Sequence, residues 1–216
     1  MYYYCERTAQ GLLSEPLNSI TNLAFIITSI LILKRYRGEK YSVIFGSLIG
    51  LIGIGSFLFH TIPTKMTGLL DIIAILLFIL FYLFIINNSV FNFSKIFSLV
   101  ITLVSPVIYF YIGNELKGSI SFLGDSSFYI IILMHLFIIY LFALKEKIEG
   151  SFYILLANII FAISILFRAV DNHICNINFY GTHFLWHILN SLVLYTLVFF
   201  IYKNKSCKTA SPKIPT

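Results

Sequence analysis

The chain has 216 residues, of which 59% are hydrophobic and only 11% charged, and its mean hydropathy is +0.92. A water-soluble domain of that composition would expose large apolar patches, which excludes a soluble enzyme or binding module in favour of a membrane protein. The formal charge of +6 does not argue for nucleic acid, because the basic residues lie between apolar runs and form no single patch.

The opening MYYYCERTAQ has neither the basic start nor the apolar core of a cleavable signal, so the first span is expected to be retained. Seven apolar stretches long enough to cross a bilayer follow in order, approximately Leu17 to Leu33, Ser42 to His60, Leu69 to Ile86, Ile96 to Ile112, Phe128 to Leu144, Phe152 to Val170 and His183 to Tyr202. The breaks KRYRGEK, TIPTK, NNSVFNFSK, GNELKGS, KEKIEG and NHICNINFYG carry most of the charge and many turn residues. Their shortness predicts an all-α, seven-helix, up-and-down transmembrane bundle over residues 1–202, with a basic tail at 203–216 that is expected to be disordered. An odd number of spans puts the ends on opposite sides. One side holds 11 basic residues (Lys34, Arg35, Arg37, Lys40, Lys95, Lys145, Lys147, Lys203, Lys205, Lys208 and Lys213) and the other holds 4 (Arg7, Lys65, Lys117 and Arg168). The positive-inside rule therefore predicts an outer N-terminus and a cytoplasmic C-terminus.

In that topology the polar residues within the spans gather at one level. Span two ends outward at His60, with Ser56 one turn deeper on the same face. Span three starts on that side with Asp71 in about its first turn, and span seven starts there with His183 and His187 at i and i+4. Ionisable groups at this depth are functional-site candidates. Three neutral imidazoles suit zinc, leaving a fourth tetrahedral position for water whose pKa falls towards about 7. Asp71 is placed to take that water's proton or to orient a ligand, and Ser56 to bond the oxyanion. Each residue alone has a plainer reading: an interfacial histidine, a serine bonded to its own i−4 carbonyl, or an aspartate favoured by a helix N-terminus.

Taken together, Ser-x-x-x-His (Ser56, His60), an Asp eleven residues on (Asp71) and a late His-x-x-x-His (His183, His187) resemble the signature of the alkaline ceramidases, within the seven-helix hydrolases that include the adiponectin receptors. The stretches YCERT (Tyr4 to Thr8), SEPLNSITNLAF (Ser14 to Phe25) and FRAVDNHIC (Phe167 to Cys175) support the resemblance, whereas spans four and five look generic. It implies three-histidine zinc, Asp71 as general base and Ser56 as oxyanion stabiliser, cleaving the amide of a ceramide-like N-acyl lipid that enters sideways from the bilayer. The family's calcium cluster is represented only in part, by Glu6 and Glu15. Two carboxylates leave most of calcium's six to eight ligands to carbonyls and water. The sequence reading accordingly favours ion pairs, Glu6 with Arg7 or Lys65 and Glu15 with Asn18, Asn22 or a helix terminus.

Cys5 and Cys175 fall on the outer side and Cys207 in the tail. A Cys5–Cys175 disulfide would tie the N-terminal segment over the site, and two free thiols are the alternative, since spacing does not reveal Cα approach. Arg168 and Asp171 are expected to pair at i, i+3, with a role for Asp171 behind a metal-bound imidazole as the second reading. His135 is read as a packing or hydrogen-bonding residue, His173 as solvated, and Trp186 as an interfacial anchor or a wall of the lipid slot. A non-enzymatic receptor or transporter with a structural metal is the competing hypothesis. A retinal protein is set aside because span seven has no lysine within its apolar length, and haem fits an i, i+4 pair poorly. The small size and short loops look bacterial, which suggests an inner membrane with the site facing the periplasm. Headgroup, acyl chain and oligomeric state are not readable from the sequence.

Overall fold

The computed structural model describes residues 4–7, 11–12 and 14–209, without the side chains of 205–209. Among these residues all regular structure is helical: α1 (Pro16–Thr21), α2 (Leu23–Arg35), α3 (Ser42–Thr61), α4 (Lys65–Ile85), α5 (Lys95–Ser119), α6 (Ser127–Lys145), α7 (Ser151–Val170) and α8 (His183–Thr209). The first two, broken only at Asn22, make one span, so seven helical segments are long and apolar enough to cross a membrane. The chain is an integral, multi-pass membrane protein.

Local chemistry sets the ends. Pro16 opens α1, where its missing N–H costs nothing. Thr64 and Thr67 form a reciprocal capping box that starts α4 at Lys65. That start lies four residues before the apolar run suggests, so Asp71 falls in the second turn of the helix and not the first. At the other end α4 passes into a π-turn, Ile86–Val90, where the Asn87 amide bonds the Leu83 carbonyl at 2.9 Å. Helix α5 continues to Ser119, through the GNELKGS segment expected to be a break. Polarity rises there, but no proline interrupts the ladder. For the same reason α8 runs to Thr209, so the tail expected to be irregular from 203 begins as helix, with no glycine or proline before Pro212. Residues 210–216 lie outside the described part.

Neighbours in sequence pack as neighbours in space, α2 on α3, α3 on α4, α5 on α6, α6 on α7 and α7 on α8, and α8 closes the bundle against α1 and α2. Apolar side chains such as Phe45, Ile49, Phe78, Ile154 and Val198 fill the interior. Small residues let α3 approach both sides closely, as is usual between membrane helices. A Cβ on Gly53 would sit 2.9 Å from the Phe25 Cβ of α2, and one on Gly55 would sit 3.2 Å from the Leu70 carbonyl oxygen and the Asp71 Cα of α4. That second contact presses the backbone beside Ser56 against the backbone of Asp71.

Candidate metal and hydrolytic centre

Three helix ends meet as the spacing predicts. His60 on the last turn of α3 and His183 and His187 on the first turns of α8 are all buried, and their ligand nitrogens lie within 4.8 Å of one another. Ring centroids are 5.2 Å apart for His60–His183 and 4.8 Å for each of the other two pairs.

Hydrogen bonds behind the rings fix two of the tautomers. His60 Nδ1 meets a carboxylate oxygen of Glu15. Burial alone would raise the Glu15 pKa, but bonds from His60 and Asn18 and the Arg7 charge outweigh it and hold the group below the usual carboxylate value. An ionised carboxylate only accepts, so His60 Nδ1 carries the proton and Nε2 keeps its lone pair. His187 Nδ1 lies 3.0 Å from the Thr21 hydroxyl, whose own proton is given to the Leu17 carbonyl at 2.7 Å. His187 therefore donates from Nδ1, and its Nε2 is buried without a partner; His183 Nδ1 is likewise buried and unpartnered. Buried polar atoms left without partners are costly. Orphaned imidazole nitrogens directed into one gap are the donor set that a nitrogen-loving divalent cation such as zinc would satisfy. The residues fit a metal.

Ser56 is buried one turn below His60, and its side-chain partner is Asp71, not its own i−4 carbonyl. Asp71 is half-buried and also lies in the field of His60 and Arg168. Directly deeper, Ile52 and Ile75, each about one turn from Ser56 and Asp71, and Val193, nearly two turns from His187, wall an almost wholly apolar cavity that continues down to Tyr82. Trp186, with 6% of its surface exposed, lines this cavity. The anchor reading of Trp186 fails because the ring faces inward.

The N-terminal segment covers the centre. Cys5 and Cys175 are joined in a disulfide with Cα atoms 5.0 Å apart. Beside it, the Tyr4 ring stacks on His183 at 3.8 Å between centroids and lies 5.2 Å from His60. Enclosure pushes the Tyr4 phenol well above its ordinary pKa, which keeps it a neutral donor. Both oxygens of Glu6 accept backbone N–H bonds, from Leu17 at 2.6 Å and Asn18 at 2.9 Å, capping α1. Burial nevertheless holds the Glu6 pKa above the usual value. Glu15 serves Arg7, His60 and Asn18. Glu15 bonds Asn18 as the favoured reading has it, whereas Arg7, expected as one of two partners for Glu6, is paired with Glu15. Asp171 accepts from the backbone N–H groups of Thr182 at 2.7 Å, His183 at 2.9 Å and Cys5 at 3.1 Å. It therefore neither pairs with Arg168 nor meets an imidazole. Three converging amides satisfy the oxygens of this buried carboxylate. Gly181, at φ +64°, lets this turn form, since a Cβ there would lie 2.2 Å from Asp171 Oδ1. His135 bonds the Tyr109 hydroxyl at 2.5 Å, as a hydrogen-bonding residue should. His173 is exposed, as expected of a solvated loop residue, with its ring stacked on Phe122 at 4.9 Å.

Sequence reasoning missed Tyr4, Arg7, Thr21 and Gly55 as parts of the centre. Their only signal was membership of stretches flanking the histidines.

A family model described as Ceramidase matches residues 3–214. The chain belongs to the ceramidase family. No curated protein matches it. Family membership supports a ceramide-hydrolysing function.

Proposed function

We propose that this member of the ceramidase family is a zinc-dependent intramembrane amidase that cleaves ceramide or a related N-acyl lipid into a fatty acid and an amine. The observation that carries the reading is the trio of buried imidazoles, two of them with unpartnered ring nitrogens, set beside the Ser56–Asp71 pair above an apolar cavity. His60, His183 and His187 would hold the ion. When bound, zinc supplies a Lewis acid and lowers the pKa of a coordinated water to about 7. Asp71 accepts the proton of the attacking water and delivers it to the amine nitrogen as the C–N bond breaks and the new C–O bond forms. Ser56 turns its hydroxyl from Asp71 to the carbonyl oxygen, where negative charge develops. Tyr4 shields the imidazoles from bulk water. Lipid tails occupy the apolar cavity, approaching sideways between helices, because a two-tailed molecule would have to leave the bilayer to come any other way.

A structural metal in a receptor or transporter would call for a closed fourth position, whereas among the described residues the cluster supplies three ligands. The distribution of 11 and 4 basic residues supports an outer N-terminus and a cytoplasmic tail. In a bacterial inner membrane this puts the centre on the periplasmic side, where the Cys5–Cys175 bridge is chemically at home. We read residues 1–202 as the hydrolase bundle and Glu6 and Glu15 as organisers of its N-terminal cap, without calcium.

The test is metal analysis of the purified chain together with mass spectrometry of products from a panel of N-acyl lipids. We expect about one zinc per chain, release of fatty acid by the parent, loss of zinc in His183→Ala, and retained zinc with turnover lowered about 10²–10⁴-fold in Asp71→Asn. Undiminished zinc in His183→Ala, or undiminished turnover in Asp71→Asn, would overturn the assignment.

A further inference from the structure

Above the apolar cavity, on the far side of the Tyr4 ring from the imidazoles, lies a second cavity of about 310 Å³ with a mainly polar wall that includes Ser121, Asp125, Ser126, Arg168, Asn172 and His173. Arg168 is the unusual member. Its guanidinium sits 5.3 Å from the Tyr129 ring and 5.4 Å from the Trp186 ring, two aromatic faces that restrict its motion. Of its five N–H donors, one reaches Ser126 Oγ at 3.3 Å, a long bond. Among the described residues no carboxylate forms an ion pair with it. The acid on the cavity wall, Asp125, is bonded to Lys117 at 2.5 Å, and Asp125 and Asp71 act on Arg168 only through the longer-range field. A cation with spare donors, aimed into a polar space and not neutralised locally, is a receptor for an anion.

Arg168, on the wall of the polar cavity, lies over Tyr129 and Trp186, which line the apolar one, so its guanidinium stands between the two. An N-acyl lipid with its tails in the lower cavity and its amide at Ser56 and Asp71 has its headgroup beside Tyr4. We infer that Arg168 is a specificity-determining residue that receives an anionic headgroup, a phosphate, sulfonate or carboxylate placed close to the amide, so that the preferred lipid is an acidic N-acyl lipid. The inference rests on the proposed lipid-amidase reading for where the amide lies.

The test uses the intrinsic fluorescence of Trp186, the one tryptophan in the chain, which lies against Arg168 and reports binding without turnover. Full-length protein in detergent is titrated with ceramide, with ceramide 1-phosphate of the same tails, and with inorganic phosphate alone, for the parent, Arg168→Lys and Arg168→Gln. The parent should bind the phosphorylated lipid about 10-fold or more tightly than the neutral one. Lysine should keep part of that ratio and glutamine should abolish it. Saturation by millimolar inorganic phosphate, with no advantage for the phosphorylated lipid, would assign the pocket to a free anion and overturn the headgroup assignment. Equal affinities for the two lipids in the parent would also overturn it, whether or not the glutamine variant folds, and so would a ratio that survives in a folded Arg168→Gln. Product analysis on the same samples separates the two readings. Cleavage without headgroup preference removes only the Arg168 assignment, and anion-selective binding without cleavage of either lipid removes only the amidase.

Discussion

Replacing Glu15 by glutamine keeps the shape of the side chain and removes its charge, which isolates what the carboxylate does for His60. Three donors converge on it: Arg7 Nε, His60 Nδ1 and Asn18 Nδ2, the last at 3.1 Å. Glutamine offers one acceptor oxygen, and its amide nitrogen must then face either the guanidinium or the imidazole N–H. The side chains of Arg7 and Glu15 are only 6% and 2% exposed, so water cannot repair the mismatch. Loss of a group that orients a metal-bound histidine costs about 10–100-fold in metal affinity, or about 1.4–2.8 kcal/mol. We expect the zinc dissociation constant of Glu15→Gln, measured by competition with a chromogenic chelator, to rise within that range. Glu15→Asp, which keeps the charge on a shorter stem, should fall between variant and parent. A folded Glu15→Gln that binds zinc with parental affinity would refute the claim that this carboxylate fixes the His60 tautomer.

Other substitutions test separate links. His187→Ala removes the one imidazole bonded to Thr21 and should abolish stoichiometric zinc, read by elemental analysis, while circular dichroism shows unchanged helix content. Gly55→Ala drives a methyl to 3.2 Å from the Asp71 Cα and the Leu70 carbonyl oxygen, backbone atoms that cannot swing aside. Turnover should drop about 10–100-fold through misplacement of Asp71, with zinc content unchanged and kcat affected more than KM. Cys5→Ser releases a bridge across 170 residues and should cost about 2–4 kcal/mol of stability. The thermal midpoint of the reduced parent should then match that of the variant, and a parent indifferent to reductant would contradict the bridge.

The histidines, Ser56 and Asp71 were legible because a helix converts residue spacing into a shared face, and alternating spans convert chain order into a shared side of the membrane. What surrounds them was not. Tyr4, Arg7, Glu6 and Glu15 lie outside the helices, where no periodicity says which atoms meet. The role of Asp171 was misjudged because the i, i+3 rule considers only its own helix. Its actual partners, the amides of Cys5, Thr182 and His183, come together through tertiary folding. For Trp186 the average preference of its residue type favoured an interfacial anchor, and the alternative, a wall of the apolar slot, is the one the cavity bears out. The lengths of α5 and α8 were underestimated for a related reason: hydropathy marks where lipid ends, and helices continue until something breaks them.

The three imidazoles come from only two helices, α3 and α8, and four others are synthesised between them. During membrane insertion the chain therefore carries a single ligand until its last segment has emerged and docked. Under the proposed function, a centre able to cut lipid amides comes into being only when the bundle is whole, so a half-inserted or truncated chain would not damage the bilayer that is receiving it.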